Sequence, residues 1–338
     1  MRQSSMMIIL FLSIPMLALL NLTVGSVSIP ASDVFNILFG SGSDNEVWTN
    51  IVMMTRLPQT LTAIACGAGL AVAGLEMQTV FHNPLAGPSV LGISSAASLG
   101  VAFVVLLSGT IGGGIMTHFG VIGNTALTLA AIAGSLSVMA LIVYLSQKVQ
   151  GNVTLLIVGV MIGYIATAII GVLKYFSTEE DIRAYVIWGL GSFARVTGGQ
   201  VYVFVGLMCV LLPLSMLLAK PLNLLLLGER YAVNLGLNVR QTRLMIISSA
   251  GILTAIVTAY CGPIMFLGLA VPHICRGLFN KSDHRILLPA TLLGGASLAL
   301  FCNLIARMPG FEGALPINSV TALIGAPVAL WVLLRRKR

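Results

Sequence analysis

Charged side chains are scarce in this chain. Lys, Arg, Asp and Glu make up 8% of its 338 residues, whereas a soluble domain carries about 25%. That deficit excludes a water-facing surface. Together with a mean hydropathy of +1.01, it marks an all-α integral membrane protein. A nucleotide cradle is missing too. There is no G-x-x-x-x-G-K-[ST] and no Gly-Lys pair anywhere, so the chain has no P-loop. H-E-x-x-H and G-x-S-x-G are also absent, which removes the common zinc-hydrolase and serine-hydrolase sites. The four histidines (His82, His118, His273 and His284) are far apart in sequence. The five cysteines (Cys66, Cys209, Cys261, Cys275 and Cys302) form no CxxC and read as small apolar packing groups. No catalytic residue, metal ligand or cofactor is therefore assigned to this chain.

What is present is a series of apolar runs bounded by Gly, Pro and charge clusters. They predict about ten transmembrane helices, near residues 6–25, 56–81, 90–108, 120–146, 151–173, 196–219, 241–260, 263–279, 286–306 and 316–334. A spanning helix takes about 20 residues, so only short loops remain, and residues 1–338 read as one transmembrane domain. Arg2 before the run from Met6 to Leu20 resembles a secretion signal, but no A-x-A-like site follows; an uncleaved first span is expected.

With the N-terminus in the cytoplasm, thirteen basic residues fall inside and five outside. The outer five are Arg56, Lys174, Arg183, Arg195 and Arg307. Asp33, Asp44, Glu46, Glu179, Glu180, Asp181 and Glu312 also fall outside. This basic bias predicts that both termini are cytoplasmic. Because the net charge of +8 sits in short loops and in the tail Arg335-Arg336-Lys337-Arg338, it signals topology and no nucleic-acid partner. The outer stretches 26–55 and 174–195 have room for short interfacial helices.

Three local features stand out. Arg56 to Gly100 reads as a small-residue helix, a tight Asn83-Pro84 turn and a second small-residue helix. Small residues let backbones approach closely inside a bundle. Glu76 is the one acid inside a predicted span; it is either an ion or proton relay or a group bonded to a neighbouring helix end. The inner loop around 220–240 can form a short helix from Glu229 to Leu235, closed by Gly236.

These residues also carry a family resemblance. Arg56-Leu57-Pro58, Gly74 with Gln78, Asn83-Pro84-Leu85-Ala86-Gly87-Pro88 and Leu91-Gly92-Ile93-Ser94-Ser95 form the first part of it. Leu227-Gly228-Glu229, Leu235-Gly236, Gly262-Pro263-Ile264, Pro272-His273 with Arg276, Asp283-His284-Arg285 and Leu323-Ile324-Gly325-Ala326-Pro327 continue it. In order and spacing the chain resembles the FecCD-type ABC permeases, importers of ferric siderophores, haem and vitamin B12, from Arg56 to Trp331.

The resemblance implies a type II ABC importer permease in the bacterial inner membrane, with ten helices per subunit and a homodimeric assembly. It implies two cytoplasmic ATPase subunits carrying ATP-Mg, and a periplasmic or lipoprotein substrate-binding protein above. Gly228, Glu229, Arg230, Ala232, Leu235 and Gly236 match the coupling helix that fits the ATPase. Arg56 and Arg307 match outer arginines that receive acidic residues of the binding protein. Gln59 stands where many members have a second basic residue, and His82 where many have Arg. Glu76, Gln78, Asn83 and Pro84 are loop or pathway candidates, with Asn83-Pro84 read mainly as a structural turn. The competing reading is an ion-coupled secondary transporter relying on Glu76. A membrane enzyme ranks third, for want of a catalytic cluster.

Overall fold

A computed structural model of the chain describes residues 2–40, 45–108, 120–149, 151–308 and 314–335, and every regular element among them is helical. Asp44, His118, Glu312 and the tail Arg336-Lys337-Arg338 lie outside the described residues. The helices are α1 (Arg2–Thr23), α2 (Ala31–Phe39), α3 (Glu46–Ile51), α4 (Leu57–Val80), α5 (Ile93–Ser108), α6 (Gly120–Lys148), α7 (Asn152–Tyr175) and α8 (Glu179–Gly189). They continue as α9 (Gly199–Met216), α10 (Ala219–Leu226), α11 (Glu229–Asn234), α12 (Val239–Cys261), α13 (Leu267–Phe279), α14 (His284–Ala306) and α15 (Ile317–Arg335).

Among the described residues, seven helical stretches are long and apolar enough to cross a membrane. Shorter apolar helices occupy the other three expected positions, at Ile93–Leu107, Leu267–Phe279 and Ile317–Val328. The largest departure from the sequence map is α13. It starts at Leu267 instead of near 263, because Gly262 (φ +80°) and Phe266 (φ +69°) break the helix. At 13 residues and 1.5 Å per residue, α13 is about 20 Å long, against roughly 30 Å of hydrocarbon. The interfacial helices expected in the outer stretches are α2, α3 and α8. Helix α3 runs through a π-helical turn (Val52–Arg56) straight into α4, so one continuous helical stretch covers Glu46–Val80.

Local chemistry sets the helix starts. Asn45 Oδ1 accepts from the Val47 and Trp48 amides at α3. Thr178 accepts from Asp181 N at α8, and Asn238 from Gln241 N at α12. Asp283 accepts from Arg285 N at α14. Each cap satisfies an amide that the first turn leaves free.

Helix α4 is the axis of the fold, buried along nearly its whole length. It packs most closely on α14, where Gly67 and Gly295 meet so tightly that a Cβ on either would strike the other's carbonyl oxygen. Gly74 meets the Gly268 carbonyl of α13 in the same way. In lipid there is no hydrophobic drive between helices, so close backbone approach supplies the packing. By contrast, α1, α6, α7 and α9 are mostly uncovered by the rest of the chain. Ile8, Phe11 and Met16 of α1 and Tyr164 and Val172 of α7 point outward.

Candidate functional site

The candidate residues fall at the two ends of the α4–α14 pair, and we describe the end where α4 finishes first. After α10 the chain turns through Gly228 (φ +97°) into α11 and leaves through Gly236 (φ +82°). Leu237 N donates to Ala232 O (3.0 Å) and Gly236 N to Val233 O (2.9 Å). This pair of bonds is the Schellman closure of a helix by a left-handed residue. Ala232 is the fully buried residue of α11, whereas Leu227, Tyr231, Val233 and Leu235 are exposed. Glu229 is paired with Arg243 of α12 at 2.5 Å, and Arg230 is exposed. The loop is thus a short, firmly closed helix exposing both apolar and polar side chains, joined to α10 and α12.

Beside it lies a polar network that sequence reasoning missed. Asn223 of α10 donates through Nδ2 to Asp283 Oδ1 (2.6 Å). Its own Oδ1 accepts from the His284 amide (2.8 Å) and His284 Nδ1 (2.9 Å). His284 Nε2 lies 2.8 Å from Thr79 Oγ1 on α4. His82, in the turn after α4, donates through Nε2 to Leu225 O of α10 (3.1 Å). The α10–α11 segment is therefore bonded to the ends of both α4 and α14. Asp283, outside the spans, has its pKa lowered, first by the Arg285 amide and then by Asn223. A helix-capping Asp before an apolar run was the legible signal here; Asn223 and Thr79 gave none.

Glu76, Gln78, Asn83 and Pro84 do not converge on one site. Residues two apart on a helix face different ways, so Glu76 and Gln78 meet different partners. Glu76 is fully buried and accepts from Ser249 Oγ of α12 (2.9 Å), while its second oxygen has no hydrogen-bond partner among the described residues. Gln78 accepts from Arg276 Nη1 (2.5 Å) and donates to Leu269 O (3.3 Å), both on α13. Asn83 Oδ1 accepts from Leu85 N (2.9 Å), a local turn bond. The Pro84 carbonyl accepts from His273 Nε2 (2.7 Å). An apolar cavity of about 170 Å³ adjoins this turn, lined by Leu85, Pro88, Ile264, Met265, Phe266 and Leu269.

The opposite end carries the two arginines. The sequence reading assigned both as outer groups that receive the binding protein; in the structure the two differ, and Arg56 is turned inward. Its side chain is 1% exposed. Nη1 donates to Leu22 O (2.6 Å) and Thr23 O (3.0 Å), and Nη2 to Val27 O. The end of α1 leaves carbonyls without intrahelical partners, and Arg56 serves as their cap. Arg307 is partly exposed and makes one long bond to Asn21 O (3.5 Å); burial lowers its pKa. Gln59 donates to Asn303 Oδ1 (2.9 Å), and Asn303 Nδ2 donates to Asn21 Oδ1 (2.8 Å). Gln59 therefore binds α4 to α14 and α1. Arg195, near the end of α8, lies over Trp188 and is pushed down to about 10 by burial.

Among the described residues, no group of three His, Cys, Asp or Glu side chains could hold a metal ion.

Residues 10–335 match the FecCD transport family. The vitamin B12 import system permease protein BtuC of Klebsiella pneumoniae is 39% identical over 286 residues, covering 85% of this chain and 83% of that protein. Its Escherichia coli counterpart is 38% identical over 287 residues, covering 85% and 84%. A solved structure of a metal-chelate type ABC transporter in an inward-facing conformation superposes with a TM-score of 0.84 at 28% identity, covering 98% of this chain and 99% of that one.

Proposed function

The chain belongs to the FecCD transport family, and from that premise we propose that it is the permease subunit of a binding-protein-dependent ABC importer for a bulky metal chelate or corrinoid. It works as a multi-pass inner-membrane protein with ten crossings and both termini in the cytoplasm. Two copies enclose the passage, two separate ATPase subunits hydrolyse ATP-Mg below, and a binding protein delivers cargo from above.

The observation that carries this reading is α11. It is a short helix, closed on both sides by left-handed glycines, with Leu227, Tyr231, Val233 and Leu235 exposed outside any span. A rigid helix with exposed apolar side chains, set between the short α10 and the span α12, suits a groove on a partner, and it transmits the partner's movement as a rigid-body shift. Since the sequence has no P-loop, the ATPase belongs on that partner. Gly228, Glu229, Arg230, Ala232, Leu235 and Gly236 form this coupling element. At the outer end, the half-exposed Arg307 is the group within reach of an acidic lobe of the binding protein; charge complementarity there sets register and speeds encounter.

Vitamin B12 is the first cargo to test, since the relatives just described are vitamin B12 permeases. Ferric siderophores and haem follow. The family match does not favour the ion-coupled alternative. Reconstitution into liposomes with the candidate ATPase tests the proposal. ATP hydrolysis is expected to need the permease, to rise with the binding protein, and to collapse in a Glu229→Arg, Gly236→Pro double variant. Uptake that proceeds without any ATPase, on an ion gradient alone, would overturn it.

A further inference from the structure

The hydrogen bonds at the two ends of α4 and α14 form one pattern. At the Arg56 end, Gln59 of α4 donates to Asn303 of α14 (2.9 Å), which bonds onward to Asn21 of α1 (2.8 Å). At the far end, Thr79 of α4 meets His284 of α14 (2.8 Å), which bonds onward to Asn223 of α10 (2.9 Å). Between these ends the backbones touch at Gly67 and Gly295. The two helices are thus pinned at both ends and in the middle, by groups buried from lipid and water alike. Polar pairs in such surroundings have no solvent to exchange with, and that holds their geometry. Arg56 stands just before α4 and Arg307 just after α14, so one face of the protein meets this pair directly. The α10–α11 segment meets its opposite end through Asn223 and, beside it, His82.

We propose that the α4–α14 pair is the rod that carries binding-protein docking at the outer face to the coupling helix, and that Asn223, His284 and Thr79 are the positioning residues that join rod to coupling segment. The inference rests on the importer reading above. It assigns to these three side chains a task that the transport function by itself does not require. Asn223 is the critical member. Its single amide group serves Asp283, the His284 amide and the His284 ring together. Removing it disconnects α10 from the start of α14 while leaving α11, with its exposed face, its glycine closures and its Arg243 pair, untouched. Partner binding at α11 then survives, and the signal from the other face does not arrive. In thermodynamic terms the coupling between two sites is lost while each site keeps its own affinity.

The test uses the full permease–ATPase complex in proteoliposomes and reads two rates, basal ATP hydrolysis and hydrolysis with saturating binding protein. In Asn223→Ala the basal rate is expected to stay near that of the parent, and the ratio of stimulated to basal rate to fall to about one, the loss of coupling itself. Thr79→Val keeps the side-chain volume, removes one hydroxyl and should lower the ratio partway. Asn223→Asp alone sets a second carboxylate against Asp283 and should also lose stimulation. Combining Asn223→Asp with Asp283→Asn restores a donor–acceptor pair and should recover it, a rescue that general destabilisation does not give. Ser297→Ala, which removes the Ser13–Ser297 bond between α1 and α14, should leave the ratio unchanged. If the parent complex itself shows no stimulation, the importer reading fails. If the parent is stimulated and Asn223→Ala and Thr79→Val keep the full ratio, the rod fails. Should Asn223→Ala not assemble, Thr79→Val and the paired exchange decide the matter alone.

Discussion

Arg56 and Arg307 make opposite demands on the fold, and replacing each by alanine separates them. Arg56 gives three hydrogen bonds to the carbonyls of Leu22, Thr23 and Val27. A hydrogen bond to a charged group is worth about 1.5–3 kcal/mol, so the sum has a ceiling of about 5–9 kcal/mol. Two facts bring it down. Water reaches the end of α1 once the side chain is gone, and Asn21 still ties α1 to α14 through Leu300 O and Asn303. About 3 kcal/mol, below that ceiling, is the working figure. At about 2–4 °C per kcal/mol, Arg56→Ala should melt roughly 6–12 °C below the parent in detergent. Arg307→Ala loses one bond at 3.5 Å, the outer limit of a hydrogen bond, and should fall within about 0.5 kcal/mol of the parent. Its defect should lie in binding-protein docking, as a slower, more salt-sensitive association. The assay is the fraction remaining monodisperse after heating, alongside ATPase stimulation by the binding protein. An Arg56→Ala variant with an unshifted melting point and lost stimulation would refute the capping argument and restore Arg56 as a docking group.

Three further outcomes follow from the geometry. Glu76→Gln keeps an acceptor for Ser249 and should retain ATP-driven uptake, whereas a relay would lose it; uptake in proteoliposomes decides. Gly74→Val drives a side chain into the Gly268 carbonyl and should cost at least about 1–3 kcal/mol by overpacking, whereas Gly206→Ala meets nothing within 4 Å and should leave the melting point unmoved. The Asp283 carboxyl titrates below its ordinary value of 3.8 in the folded chain. Its stabilising contribution is therefore complete above that value and lost as pH falls through the depressed one; melting scans should show the parent losing stability on the acid side, Asp283→Asn lacking that loss, and no pH dependence from this group near neutrality.

Much of the architecture could be read directly because lipid simplifies the code. A spanning helix satisfies its own backbone, so an apolar run marks it, and a helix lies at each of the ten expected runs. The small residues of α4 announced close packing, and Gly67 and Gly74 lie where backbones touch. Gly236 declared the end of α11, because few other residues close a helix with φ near +80°. What stayed hidden depends on tertiary neighbours. Arg56 reads as an outer arginine until the end of α1 and the loop after it offer it three carbonyls. Asn223, in a leucine run, has no local mark of a bond 61 residues away to His284. The late start of α13 escaped as well, because Phe266 is a bulky residue in a left-handed conformation, which sequence rules assign to Gly or Asn.

The distribution of polar groups along α4 and α14 follows from the same solvent. A side-chain hydrogen bond deep in a bundle needs its partner at all times, so each one fixes a helix pair and restricts movement. This chain puts such bonds at the ends of the pair, at Gln59–Asn303 and Thr79–His284, and holds the middle by backbone contact at Gly67 and Gly295. The pair is stiff without a charged residue at its centre. The neighbouring break from Gly262 to Phe266 is built differently. Two residues with positive φ flank it, it lines an apolar cavity, and strain of this kind persists only where surrounding structure enforces it.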